Sequence, residues 1–273
     1  MKNNRKTEKN EQTEVQDEVQ EQQKQFQFKN VFVLTNTKGN TLKSLYVNSL
    51  STTIRLGMLN GIKIIPLFIG NVDSTPMAKN ELLGNLKDAE YDAAVFIDSD
   101  LGWDAVSFIE CLSSKEDVVG LPVVKKTLGN VVFDLDMNVE SIETNGEEGL
   151  FKVKHTSTGF LKLSNKVITE LLDGSISITN NTGNEVKNVF ETEIKDGQFI
   201  NESIVLCNKI KDMGYDIWLN SKTTCAQMTD NIYAVDFANA LQQSQGTPEG
   251  EVQQTENIQD VEVKNDEVKS LYE

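Results

Sequence analysis

The chain has 273 residues, 38% of them hydrophobic, and a formal net charge of −16. That balance excludes a broad nucleic-acid footprint, which needs clustered Lys and Arg, while the apolar share suffices for one sizeable core. No run approaches the roughly 20 apolar residues of a membrane span, and the first residues carry no apolar segment of the secretory kind.

Composition divides the chain into three. Residues 1–28 are Lys, Glu, Asn and Gln with almost nothing apolar before Phe26, and residues 241–273 are Gln/Glu-rich, with eight acids and two lysines. Neither stretch has the apolar surface to offset the entropy of ordering, so both are expected to be disordered tails around one domain at 29–240. Cys111, Cys207 and Cys225 are odd in number and lack zinc-site spacing. They read as packed, reduced thiols of a cytoplasmic protein.

In chain order, Val31–Leu34 reads as a first strand and Thr35–Asn40 as the polar loop after it. Thr41–Asn60 has helical spacing and closes on Asn60-Gly61 as a C-cap. Ile62–Ile69 is a second strand, which Pro66 places at an edge or bulge. Ser74 or Thr75 caps the next helix, with Pro76 in its first turn.

Ala93–Ile97 is an apolar run of the kind buried on both sheet faces, and it ends abruptly in Asp98-Ser99-Asp100. Residues two apart on a strand point to the same side, so Asp98 and Asp100 can face one cation. Hard oxygen ligands of this kind suit Mg or Mn holding a diphosphate. The plainer alternative is an acidic turn that starts the helix Asp104–Ser113, with Asp104 as its cap. Val118–Val124 follows as a strand leading to Lys125-Lys126, and Asn145-Gly146 marks a hairpin inside 131–153. His155 reads as structural or surface, and Ser175–Lys195 as a flexible insertion or a hairpin over the site.

The run Phe96-Ile-Asp-Ser-Asp-Leu-Gly-Trp103, then a helix and Asp117-Val-Val-Gly120, resembles the Asp-x-Asp core of GT-A glycosyltransferases, most closely their compact viral and bacteriophage members. Further segments fit the same resemblance: Lys79-Asn80, Thr158-Gly159-Phe160, Glu202-Ser203, and a terminal Gln227…Tyr233…Asp236-Phe237. The resemblance implies a Rossmann-like three-layer α/β sandwich with a mixed, mostly parallel sheet. It implies a Mn- or Mg-dependent hexosyltransferase that moves a sugar from a UDP- or GDP-sugar to an acceptor hydroxyl, in the host cytoplasm if the protein is viral. Thr35, Lys79, Asn80, Asp98, Ser99 and Asp100 would bind the donor, Trp103, Thr158 and Gly159 would line the acceptor side, and Asp98, Asp100 and Gln227 would hold the metal. Glu202 would be the general base.

Three departures stand out. Lys79 replaces Arg, Ser203 replaces Asp, and Gln227 replaces a metal-binding His. The last two favour the alternative of a divergent homologue that binds a nucleotide-sugar or glycan with little or no turnover.

Overall fold

The computed structural model describes residues 27–72, 74–127, 130–133, 135–136, 143–145, 149–222, 225–228 and 232–233. The expected tails, apart from Gln27 and Phe28, and the matches at Asp236 and Phe237 lie outside the described residues.

An eight-stranded mixed sheet forms the centre. Its strands are β1 (Asn30–Thr37), β2 (Lys63–Gly70), β3 (Ala93–Ile97), β4 (Val118–Gly120), β5 (Thr144–Asn145), β6 (Leu150–Val153), β7 (Phe160–Ser164) and β8 (Ile217–Asn220). Their order is β2-β1-β3-β7-β4-β8-β6-β5. β2, β1 and β3 run parallel, as do β4 and β8, and β7 lies antiparallel between β3 and β4. β6 opposes both β8 and β5, so β7 and β6 alone run against the rest. The helices are α1 (Ser44–Leu59), α2 (Thr75–Gly84), α3 (Ala105–Ser113), α4 (Asn165–Gly174) and α5 (Glu202–Asp212). Among the described residues, no helix is long and apolar enough to cross a membrane.

Local chemistry sets the helix ends. Ser74, Asp104, Ser164 and Asn201 each take a backbone N–H of the following first turn on a side-chain oxygen. α1 closes on Asn60, and Gly61 follows with φ +70°, the left-handed turn that glycine accepts without a Cβ clash. β2 is an edge strand, which suits Pro66 because proline cannot donate to a ladder.

Three boundaries differ from expectation. β1 continues through Thr37, because Thr35-Asn36-Thr37 pair with Phe68-Ile69-Gly70 and the ladder outlasts the apolar run. α1 starts at Ser44, three residues later than expected. β4 stops at Gly120: the Leu121 N–H still donates to the Phe160 carbonyl at 3.3 Å, but Pro122 has no N–H to continue the ladder, and its carbonyl accepts the Cys225 N–H at 3.0 Å. The polar stretch after α4 forms two small hairpins, pairing Ser177–Thr179 with Glu185–Lys187 and Glu193–Lys195 with Gln198–Ile200. β5 and β6 pair with Asn145 opposite Leu150, and Gly146 of the expected hairpin turn lies outside the described residues.

Tyr46, Trp103, Phe108 and Phe160 interlock beside the sheet, with ring centroids of Trp103 and Tyr46 5.1 Å apart and of Phe108 and Phe160 5.9 Å apart. Phe28 joins this core, and the fully buried Lys162 Nζ of β7 lies 4.4 Å from its ring centroid. On the opposite flank, Asn80 of α2 fastens the segment before α5. Its amide nitrogen donates to the Phe190 carbonyl at 2.8 Å, and its oxygen accepts the Phe190 N–H at 2.8 Å. Asn80→Ala strands both buried backbone groups, and each such loss costs about 1–3 kcal/mol. We expect the variant to lose about 2–4 kcal/mol in urea denaturation; a loss below about 0.5 kcal/mol would contradict this role.

Candidate functional site

β3 ends at Ile97, and the chain then turns through Asp98-Ser99-Asp100 at the carboxyl end of a central strand, where open α/β sheets place ligands. The neighbouring β7 begins at Phe160, directly opposite Ile97, so Gly159 faces Asp98. The Asp98 N–H donates to the Gly159 carbonyl at 2.9 Å. A Cβ on residue 159 would sit 3.0 Å from Asp98 Oδ2 and 3.1 Å from Ser157 Oγ. Only glycine leaves that carboxylate undisturbed.

Lys79 is the element a residue-by-residue reading understates, since an isolated helix lysine is ordinarily solvated. Here it is 2% exposed. Its Nζ donates to Thr158 Oγ1 at 2.6 Å and lies 3.8 Å from Asp98 Oδ1 and 3.9 Å from Glu202 Oε1. Asp98 comes from the end of β3, Glu202 opens α5, and both carboxylates reach solvent, their side chains 40% and 20% exposed. One buried ammonium thus stands between two open acids that are far apart in sequence.

Ser203 points the other way. It is 8% exposed, accepts the Thr158 N–H on Oγ at 3.2 Å, and pairs with Thr158 Oγ1 at 3.0 Å. Of the two adjacent positions, 202 is therefore the open one and 203 the buried one. The absence of an acid at 203 does not remove a carboxylate from the opening.

Asp100 is tied to a different element. Gln227 Nε2 donates to Asp100 Oδ2 at 3.0 Å, and the Met228 N–H donates to the Asp100 carbonyl at 2.8 Å. Burial pushes the Asp100 carboxyl above its ordinary value; the Gln227 hydrogen bond opposes this, and the negative charge of Asp98 adds to it. Sequence reasoning did not single out Lys43, whose charge partly offsets that rise and whose N–H holds the Ser99 carbonyl at 3.3 Å. Nothing in the local pattern around Lys43 marks it.

The oxygens of this corner are of the type that a hard divalent cation takes. Gln227 Oε1 is a buried oxygen without a hydrogen-bond partner, and Asp100 is a carboxylate raised by burial and a like charge. Among the described residues no group of three or more His, Cys, Asp or Glu could hold a metal. Two carboxylates and an amide nonetheless match the sparse protein shell of Mg or Mn, whose remaining positions go to water and substrate phosphates.

The other expected site residues face elsewhere. Thr35 is fully buried with its hydroxyl 2.5 Å from that of Tyr46, whose pKa burial pushes up to about 12. Trp103 is a core residue whose Nε1 donates to Thr53 Oγ1 at 2.9 Å. Asn80 spends both ends of its amide on Phe190. The structure gathers Lys79, Asp98, Thr158, Gly159 and Glu202, and separately Asp100 with Gln227, around the β3 turn. It turns Thr35, Asn80 and Trp103 into the packing behind it. His155 is half-buried, with Nε2 3.0 Å from Asn208 Oδ1, and the three cysteines are buried.

The mixed, mostly parallel sheet flanked by helices, with an antiparallel member beside β3, is the fold class that the resemblance implies. No family model and no curated protein matches the chain. Solved structures of similar fold include A197 from STIV, at 13% identity and TM-score 0.47 over 74% of this chain and 86% of that one. GalNAc-T7 with UDP, GalNAc and Mn2+ is similar at 9% identity and TM-score 0.46, over 74% of this chain and 44% of that one. A putative glucose-1-phosphate thymidylyltransferase from Bacillus anthracis is similar at 12% identity and TM-score 0.39, over 82% and 97%. At such identities the likeness concerns the fold alone.

Two outcomes follow from the Asp98–Asp100 corner. Gly159→Ala forces Asp98 or Ser157 to shift by a few tenths of an ångström, and should cost about 1 kcal/mol of stability in urea denaturation. Asp100 binds its proton more tightly in the folded chain than in the unfolded one, so its contribution to stability falls as pH rises from the ordinary value near 3.8 through the raised folded value. Without divalent cations, Asp100→Asn should therefore melt above wild type at neutral pH, and the difference should vanish below about pH 3.8. Equal melting temperatures at both pH values would contradict the electrostatic account.

Proposed function

We propose that the protein is a metal-assisted glycosyltransferase that moves a sugar from a nucleotide-diphosphate donor to an acceptor hydroxyl. The observation that carries this reading is the placement of Lys79 between the open carboxylates of Asp98 and Glu202, with Asp98 beside Asp100 at a strand end. A UDP- or GDP-sugar would lie along the Asp98–Ser99–Asp100 turn, and the acceptor would approach from Glu202.

Asp98 and Asp100, with Gln227 Oε1, would hold Mn or Mg. When bound, such an ion neutralises charge on the departing diphosphate. The protein's own groups divide the remaining work. Glu202, at the N-terminus of α5, takes the acceptor hydroxyl proton while the acceptor oxygen bonds to the anomeric carbon and the bond to the diphosphate breaks. Lys79 supplies a fixed counter-charge to the carboxylates on both sides, without solvent reorganisation because it is buried. Gly159 lets the β7 backbone close against Asp98.

One observation favours a second reading, in which the site binds a nucleotide-sugar or glycan without turnover. The Gln227 amide nitrogen already occupies Asp100 Oδ2, where a cation would compete. Donor turnover with acceptor screening separates the two. The transfer reading expects nucleotide diphosphate release from one donor, with Glu202→Gln lowering the rate at least about 100-fold while nucleotide affinity stays within about twofold. Nucleotide binding by wild type with no transfer from any donor would favour the binding reading.

A further inference from the structure

The Lys79 ammonium has three protons and, among the described residues, one close hydrogen-bond acceptor. The 2.6 Å bond to Thr158 Oγ1 is short and charge-assisted, whereas Asp98 and Glu202 lie beyond hydrogen-bond reach at 3.8 and 3.9 Å. Thr158 Oγ1, having accepted from Lys79, also pairs with Ser203 Oγ at 3.0 Å, in a hydrogen bond that either hydroxyl can donate. Ser203 Oγ also takes the Thr158 backbone N–H at 3.2 Å. A chain of hydrogen bonds therefore links Lys79 through Thr158 to Ser203, and every member is buried. On another side the ammonium lies 5.7 Å from the centroid of the Phe190 ring, which Asn80, the next residue of α2, pins in place. A neutral oxygen at 203 ends the chain without a third negative charge. The ammonium is left shared between Asp98 and Glu202.

We infer that Thr158 and Ser203 are positioning residues: they hold the Lys79 ammonium midway between the donor-side Asp98 and Glu202, and through it set the orientation of the Glu202 carboxylate. The inference rests on the reading of Glu202 as the acceptor base. Both hydroxyls are buried, so they act through the ammonium and not by touching substrate.

Steady-state kinetics on Thr158→Val, Ser203→Ala and the double variant test this, beside 15N spectra of the Lys79 ammonium protons. Each single variant should lose about tenfold in kcat, equivalent to about 1.4 kcal/mol of barrier, with donor KM within about twofold. The double variant should fall little further, because both changes break one chain. Thr158→Ser, which keeps the hydroxyl, should recover most of the loss. The Lys79 ammonium signal should be protected from exchange in wild type and Thr158→Ser, and lost in Thr158→Val. Unchanged kcat in both single variants, or a donor KM that rises in step with the loss of kcat/KM, would overturn the inference. If wild type turns over no donor, the assignment of Glu202 as base fails, while a Lys79 signal that survives in Thr158→Val still overturns the hold on Lys79.

Discussion

The structure turns on one buried positive charge. An ammonium taken out of water is costly unless matched, and Lys79 is matched by a short hydrogen bond and two carboxylates within 4 Å. Those partners come from the end of β3, the approach to β7 and the start of α5. Bringing them to one point requires β7 to run antiparallel between β3 and β4, and α5 to begin over the same strand ends. The charge is both a consequence of the fold and the reason these separate segments converge.

The surrounding packing serves that convergence. Asn80, one residue along α2 from Lys79, anchors Phe190, whose ring lies against the Phe96 ring of β3 with centroids 4.8 Å apart. On the far face, the buried rings of Trp103 and Tyr46 pack against each other with centroids 5.1 Å apart. Rigid support of this kind lets open carboxylates keep their spacing without direct contact with each other.

Much of this was legible in the sequence, because period and punctuation are local. The apolar run Ala93–Ile97 ends where β3 ends, and Ser74, Asp104 and Asn60-Gly61 cap the helices as their chemistry requires. What was not legible depends on distant partners. Lys79 reads as solvated until Thr158, far along the chain, supplies its acceptor. Thr35 reads as part of a loop, yet strand alternation places it on the same face as Val31 and Val33, which is core. Trp103 follows the acidic motif closely but spends its surface on other aromatic rings. Ser203 reads as a lost catalytic acid, and only the helix phase at the start of α5 shows that 202 opens to solvent while 203 turns inward.

The central claim is that the β3 turn is a working donor site. It is tested most directly by calorimetric titration of UDP, GDP, CDP and dTDP, with and without Mn, into wild type and Asp100→Asn. The account predicts that one nucleotide binds wild type in a Mn-dependent manner and that the variant loses this binding. Failure of all four nucleotides to bind a folded wild-type sample would contradict it.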